Sequence, residues 1–279
     1  MLLHAPAKLN LCLYLGRARE DGLHELCSLF EPLALADLIA VTPAERDEVV
    51  CPGVEGENLA ARALAGLRER GWEREPLRIE IEKRVPVAAG LGGGSGDAAA
   101  VLRLAAGEVA ELPELAAELG ADVPSQLRPS LALVRGVGER LEPLPEPAEH
   151  AAVLLPGGGG LSTADVFAEA DHLGLGRSDE ELDELAGRLR EAAGAGASPL
   201  DYPDLLVNDL EPAALSLRPD VGDALAALRA AGAPKAILSG SGPTAVGLFP
   251  DLAAAEAAAA RLDAAEAIVC AAGHAKLGP

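Results

Sequence analysis

Pro86-Val87-Ala88-Ala89-Gly90-Leu91-Gly92-Gly93-Gly94-Ser95-Gly96-Asp97 decides the reading of this chain. It follows Leu77-Arg78-Ile79-Glu80-Ile81-Glu82-Lys83-Arg84, whose apolar–polar alternation predicts a half-buried strand. It runs into residues 98–106, rich in strong helix formers. Strand, glycine loop and helix N-terminus in that order make a phosphate site. Residues without Cβ let backbone N–H groups turn toward one point, and the helix dipole adds about half a positive charge there. The loop is not a Walker A sequence, because no Gly-Lys-Ser/Thr follows. It also departs from the dinucleotide fingerprint: after Gly90 and Gly92 the third position is Ser95. The plain alternative is a flexible glycine turn; the flanking strand and helix favour phosphate.

At 279 residues, 49% of them hydrophobic, the chain can bury a full core in one large domain or two ordinary ones. It holds no run of eighteen apolar residues, so no membrane span is expected. The first residues lack the basic region and long apolar stretch of a signal peptide, and the expectation is a cytoplasmic protein. Cys12, Cys27, Cys51 and Cys270 are scattered, which argues against a zinc site and a disulfide framework. A net charge of −21 excludes the basic footprint of a nucleic-acid binder. The same field repels phosphate, so an anion site here must use local donors such as backbone amides, a helix N-terminus and a few cations. That makes the four lysines, Lys8, Lys83, Lys235 and Lys276, informative.

Residues 5–15 alternate as a strand. Ala7, Leu9, Leu11, Leu13 and Leu15 are expected on the core face, and Lys8, Asn10, Cys12 and Tyr14 on the other. A turn at Glu20-Asp21-Gly22 and a second strand over 25–35 follow. Residues 58–70 read as a helix with Asn58 as cap or ligand. A helix over 112–119 is expected to stop at Gly120 in the left-handed conformation. Three prolines in Glu142-Pro143-Leu144-Pro145-Glu146-Pro147 mark a boundary, giving parts 1–147 and 148–279. Beyond it come a buried strand over 151–155, the run Gly157 to Gly160, and Ser162 as a helix cap. Helices then dominate, interrupted at Gly194-Ala195-Gly196. Two strands are expected around a glycine turn in 236–249, then a helix over 252–265 and a strand over 267–271. This mixture, without regular βαβ alternation, predicts an α+β fold in two parts.

Four segments carry a resemblance. Ala5-Pro6-Ala7-Lys8-Leu9-Asn10-Leu11, the loop at 86–97, Gly120-Ala121-Asp122-Val123-Pro124 and Ser239-Gly240-Ser241-Gly242-Pro243-Thr244 together resemble the GHMP kinase superfamily. Glu20-Asp21-Gly22-Leu23-His24-Glu25-Leu26, then Phe30, with Asn208-Asp209-Leu210-Glu211, resembles the subgroup acting on a cytidine diphosphate sugar alcohol of the non-mevalonate isoprenoid pathway. The resemblance implies an N-terminal domain like the second domain of ribosomal protein S5 and a ferredoxin-like C-terminal domain. It implies transfer of phosphate from ATP to a small-molecule hydroxyl with Mg²⁺, and it leaves oligomeric state open. Homoserine-type and mevalonate-type kinases lack the Asp-Gly-x-His segment. A non-catalytic nucleotide-binding regulator is the alternative of another class.

Residue by residue, the resemblance puts the catalytic pair on Lys8 and Asp122. Taken alone, Asp122 is a helix cap and Lys8 an edge-strand lysine. Residues 86–96 would hold the nucleotide phosphates, with Asn58 and Lys83 around the adenine; a solvated strand-end lysine is the alternative for Lys83. Asp97 is expected to point away and cap the helix. The substrate side would take in Asn10, Leu23, His24, Phe167, Ser239, Gly240, Ser241 and Gly242. Leu23 stands where the family commonly has a tyrosine stacked on the cytosine, and Ser125 where an aromatic commonly follows the proline. His24 can still bond the pyrimidine edge. Phe167 is the expected second stacking ring or else a core residue.

Overall fold

Two long antiparallel strands organise the chain, β1 (Leu2–Ala18) and β2 (His24–Pro43). The computed structural model describes residues 1–54, 56–262 and 266–273. After β2 come β3 (Glu48–Val50), α1 (Leu59–Glu69), β4 (Leu77–Glu82), α2 (Gly93–Arg103), α3 (Leu112–Leu119), α4 (Val123–Leu127), β5 (Ala132–Gly136) and β6 (Arg140–Pro143). The second half holds β7 (His150–Leu155), α5 (Thr163–His172), α6 (Asp179–Ala193), α7 (Glu211–Leu217), α8 (Asp220–Ala230), β8 (Lys235–Leu238), β9 (Ala245–Phe249), α9 (Leu252–Ala259) and β10 (Ile268–Ala272). The fold is α+β.

In the first half β2 is the hub, pairing antiparallel with β1, β4 and β5, while β3 lies parallel to β4. In the second half the strand order β10-β7-β9-β8 is the 4-1-3-2 order of a ferredoxin-like sheet. The halves meet where β10 pairs with β2 at Ala272 and Leu33, and the proline stretch runs from the end of β6 toward β7.

Helices α1, α2 and α3 cover one face of the first half, against Leu3, Ile39, Ile79 and Ile81. The run Ala98-Ala99-Ala100 on α2 is fully buried, and side chains that small let the helix lie close to the strands. A second core, with Leu9, Leu29, Leu133 and the α6 leucines Leu182 and Leu189, spans both halves. Strand β7 serves two cores at once: Ala152 and Leu154 face this one, Ala151, Val153 and Leu155 the next.

The strand faces of β1 differ from the expected alternation. Register shifts occur between Pro6 and Lys8 and between Asn10 and Cys12. A bulge moves every later side chain to the opposite face. Cys12 and Tyr14 therefore join Ala7, Leu9 and Leu11 in one core, while Leu13 and Leu15 enter the core of the second half. Lys8 and Asn10, lying between the two shifts, keep a face of their own.

Three other expectations are corrected. Helix α2 begins at Gly93, inside the glycine run, because Gly92 rather than Asp97 is its N-cap. Gly120 ends α3 with φ 163°, which is extended backbone rather than left-handed. Helix α9 ends at Ala259; of the longer helix expected there, residues 263–265 lie outside the described residues, as does Lys276.

Candidate active site

The loop before α2 is shaped by glycines with no alternative. Gly90 has φ +75° and Gly92 φ +67°, a region that L side chains rarely adopt. A Cβ on Gly90 would also stand 2.7 Å from the Gly242 carbonyl oxygen, and one on Gly92 would stand 2.8 Å from Lys8 Cγ. The first intrahelical bond of α2 runs from Gly96 N to Gly92 O. The amides of Gly93, Gly94 and Ser95 precede it and point outward from the positive end of the helix.

Two cavities flank this loop. One, of about 340 Å³, is lined by Asn58, Lys83, Asp97 and residues 86–95. The other, of about 320 Å³, is lined by Lys8, Asn10, Phe30, Asp122, Phe167 and Ser241 among others. Gly90, Gly92 and Ser95 line both. A group bound along the loop in the first cavity therefore presents its far end to the second.

Where the cavities meet, Lys8 Nζ lies 3.1 Å from Asp122 Oδ2 and donates to Asn10 Oδ1 at 2.7 Å. It also lies 4.6 Å from the centre of the Phe30 ring. The lysine side chain is 9% exposed and the aspartate 32%, so the ammonium is held while the carboxylate faces the cavity. Asp122 occupies the cap position of α4, but its side chain accepts no helix amide. The cap reading fails, and the carboxylate is free to face Lys8. Asn10 is fixed in turn by Nδ2 donating to Ser28 Oγ at 3.1 Å. Ser125 donates to the Asp122 carbonyl at 2.7 Å, a role an aromatic ring there would not fill.

The C-terminal glycine turn holds the loop from behind. Thr244 Oγ1 donates to Ala89 O at 2.6 Å, and Ser239 Oγ donates to Gly90 O at 3.3 Å. Ser239 is fully buried and Gly242 backs onto Gly90, so these two residues shape the loop from behind. Gly240 and Ser241 line the second cavity. Asn208 clamps the turn, its Nδ2 donating to Leu238 O and Gly240 O at 2.9 and 2.7 Å.

Along the first cavity Asn58 is the expected cap. Its Oδ1 caps α1 by accepting from the amides of Ala60 and Ala61, and the residue lines the first cavity. Lys83 is not a solvated strand end: Nζ donates to Asp37 and, at 2.9 Å, to Asp97. Asp97 does not point away. Its side chain is 5% exposed, against the lysine. Burial pulls Lys83 down, but the two carboxylates leave it above its ordinary value. Burial pushes Asp97 up to about 7, with Lys83 opposing the rise and Asp37 adding to it.

Leu23, expected on the substrate side, is 50% exposed in the turn between β1 and β2 and does not line the second cavity. His24 is buried; its Nε2 lies 2.8 Å from Asp171 Oδ1, and its ring centre 5.2 Å from that of Phe167 at 51°. Phe167 and Asp171 are four apart on α5 and so share a face. Phe167 lines the second cavity, and His24 meets it through that ring. Thr163 Oγ1 lies 2.9 Å from Ser241 Oγ, tying the start of α5 to the glycine turn.

Asp37, Asp171, Ser28 and Thr244 were not singled out in the sequence. Thr244 lies inside a quoted motif and was within reach of the reading. Asp37 and Asp171 are two of 44 acidic residues, and no local pattern sets them apart.

A profile of the GHMP kinases N terminal domain matches residues 58–128, and one of the GHMP kinases C terminal domain matches residues 184–268. A protein of Kineococcus radiotolerans named 4-diphosphocytidyl-2-C-methyl-D-erythritol kinase is 41% identical over 257 residues, 85% of this chain and 78% of that one. Its namesake in Thermobifida fusca is 41% identical over 262 residues, 85% of this chain and 83% of that one. A crystal structure of 4-(cytidine 5'-diphospho)-2C-methyl-D-erythritol kinase superposes with TM-score 0.81 at 38% identity, over 98% of this chain and 100% of that one.

Proposed function

This chain belongs to the GHMP kinase family, and from that premise we propose that it phosphorylates the 2-hydroxyl of 4-diphosphocytidyl-2-C-methyl-D-erythritol with ATP. The observation that carries the reading is the Lys8–Asp122 pair, 3.1 Å apart in the wall where the two cavities meet at the glycine loop. ATP lies in the cavity of Asn58 and Lys83, its phosphates on the amides of Gly93, Gly94 and Ser95. The cytidine diphosphate end of the acceptor reaches toward Phe167 and His24, which leaves its hydroxyl beside Asp122.

Asp122 takes the proton of the attacking hydroxyl. Lys8, held by Asn10, fixes that carboxylate and adds positive charge beside the transferring phosphoryl group. Phosphoryl transfer passes through a loose transition state, so positioning and charge stabilisation carry most of the acceleration. General-base help adds typically about a hundred- to ten-thousandfold.

Mg²⁺ would supply charge neutralisation along the triphosphate. Among the described residues no three His, Cys, Asp or Glu side chains converge as a cage. The donor set therefore fits an ion carried in by the nucleotide. A regulator without activity would have no use for a paired Lys8 and Asp122.

The test is ATP consumption by the purified protein with the cytidine diphosphate substrate, homoserine and mevalonate in parallel. Turnover with the first alone is expected. Preference for either of the others, or none with any, overturns the reading.

A further inference from the structure

The charges beneath the phosphate loop do not balance. Lys83 serves two carboxylates, Asp37 with 0% and Asp97 with 5% of the side chain exposed. Asp37 also accepts from the amides of Arg84 and Val85 at 2.6 and 2.8 Å, so its charge is well satisfied. Asp97 is not. Its Oδ2 takes Lys83, while Oδ1 is buried without a hydrogen bond. An ionised carboxylate left in that state is costly. The cluster also lies where charge matters: a Cβ on Gly93, the first residue of α2, would stand 3.1 Å from Lys83 Nζ. With both acids ionised, the trio would set one net negative charge directly behind the amides that face the phosphate donor.

We propose that Asp97, beside Lys83 and Asp37, carries a proton in the working enzyme, and that this proton sets affinity for the phosphate donor. It rests on the donor-site reading above. With the proton the trio is neutral; without it the trio repels the triphosphate. Asp97 acts through Lys83 and the loop amides, so it is a positioning residue. The titratable groups around it are Asp37 from β2, Lys83 from the end of β4, and Cys51 from the segment after β3, whose thiol is raised by burial and then by Asp97. Glu57 lines the same cavity. Burial of Asp97 places loss of its proton near neutrality, so donor affinity falls as pH rises through that range.

Calorimetry with the magnesium complex of a non-hydrolysable ATP analogue, from pH 6 to pH 8.5, tests this on the full chain and on Asp97→Asn. Any titration of the ligand is common to both proteins. The wild-type dissociation constant is expected to rise about fivefold over the range. That of Asp97→Asn should change less than about twofold and match the wild type at pH 6. Parallel profiles overturn the proposal, whereas absence of binding at every pH overturns the donor-site reading and the proposal with it. Carboxyl ¹³C shifts of the wild type give a second measurement that needs no variant. An Asp97 carboxyl titrating near 7 is expected, and one titrating in the ordinary carboxylate range overturns the proposal.

Discussion

The two sides of the cleft are built from different materials. The donor side uses residues 83–97 with Cys51, Val54, Glu57, Asn58 and Leu59 from just before and at the start of α1, and its proposed ligand contacts are mostly backbone amides. The acceptor side takes side chains from β1, β2, the start of α4, α5 and the C-terminal glycine turn. Backbone donors tolerate any side chain that leaves the fold intact, so the donor side is fixed by glycine and by conformation. Side chains can be exchanged one at a time. The two departures that the resemblance implies, at Leu23 and Ser125, stand outside the donor stretch, as that contrast leads one to expect.

Four measurements can break or sharpen that contrast. The largest effect is expected at the junction of the two sides. Asp122→Asn should lower kcat by about a hundred- to ten-thousandfold, the usual range for a general base. Binding of ATP should change less than about twofold, because the loop amides are untouched. A loss of ATP binding equal to the loss of turnover would show that Asp122 belongs to the donor side.

Next comes the acceptor pocket. Base–aromatic stacking is worth about 1–3 kcal/mol, so Phe167→Ala should weaken the cytidine diphosphate substrate by about tenfold or more. Leu23→Tyr should tighten it several-fold, since a half-exposed leucine is replaced by a stacking ring. Both are read as KM for the acceptor with KM for ATP unchanged. An unaltered acceptor KM in Phe167→Ala would move the cytidine pocket elsewhere.

A smaller effect is expected on the donor side. Asn58→Ala removes the cap of α1 and should cost about 1 kcal/mol of stability, visible as a lowered urea midpoint. Asn58→Asp restores a capping acceptor and should recover that midpoint while leaving KM for ATP raised. Recovery of both by Asp would confine Asn58 to capping.

The smallest effect lies outside the cleft, where the halves of the sheet meet. His150 Nε2 lies 3.1 Å from Glu31 Oε2, with both side chains fully buried, and Nδ1 lies 2.9 Å from the Ala148 carbonyl. Both ring nitrogens face acceptors, an arrangement that suits the imidazolium. Burial pulls His150 down, yet Glu31 and that carbonyl leave it raised above 6.5. A raised histidine stabilises the fold fully below its unfolded pKa, and the contribution is lost as pH rises through the folded value. The urea midpoint should therefore fall from pH 6.5 upward, and His150→Gln should flatten that slope. Equal slopes in both proteins would remove His150 as the cause.

The same division runs through what was legible in the residues. The helix caps at Asn58 and Ser162, the phosphate loop and the paired strands around the glycine turn could be read because each depends on neighbours in sequence. The faces of β1 could not, since a bulge is set by pairing with β2 and reverses the alternation from Cys12 onward. The resemblance puts Ser239 and Gly242 on the substrate side. Their burial behind Gly90 follows from how β8 and β9 dock on the loop.

The sequence by itself determined the α+β class, the glycine loop that opens α2 and the motifs in which Lys8 and Asp122 stand, because local backbone chemistry and ordered motifs carry them. Tertiary structure alone brought out two further carboxylates and the partner of a third. Asp37 and Asp171 resemble every other acid in a chain of net charge −21 until β2 and α5 bring them against Lys83 and His24, and Asp97, which stands out by its place after the glycine loop, meets Lys83 only in the fold. A carboxylate's role depends on burial and on the partner within about 4 Å, and both are properties of long-range packing.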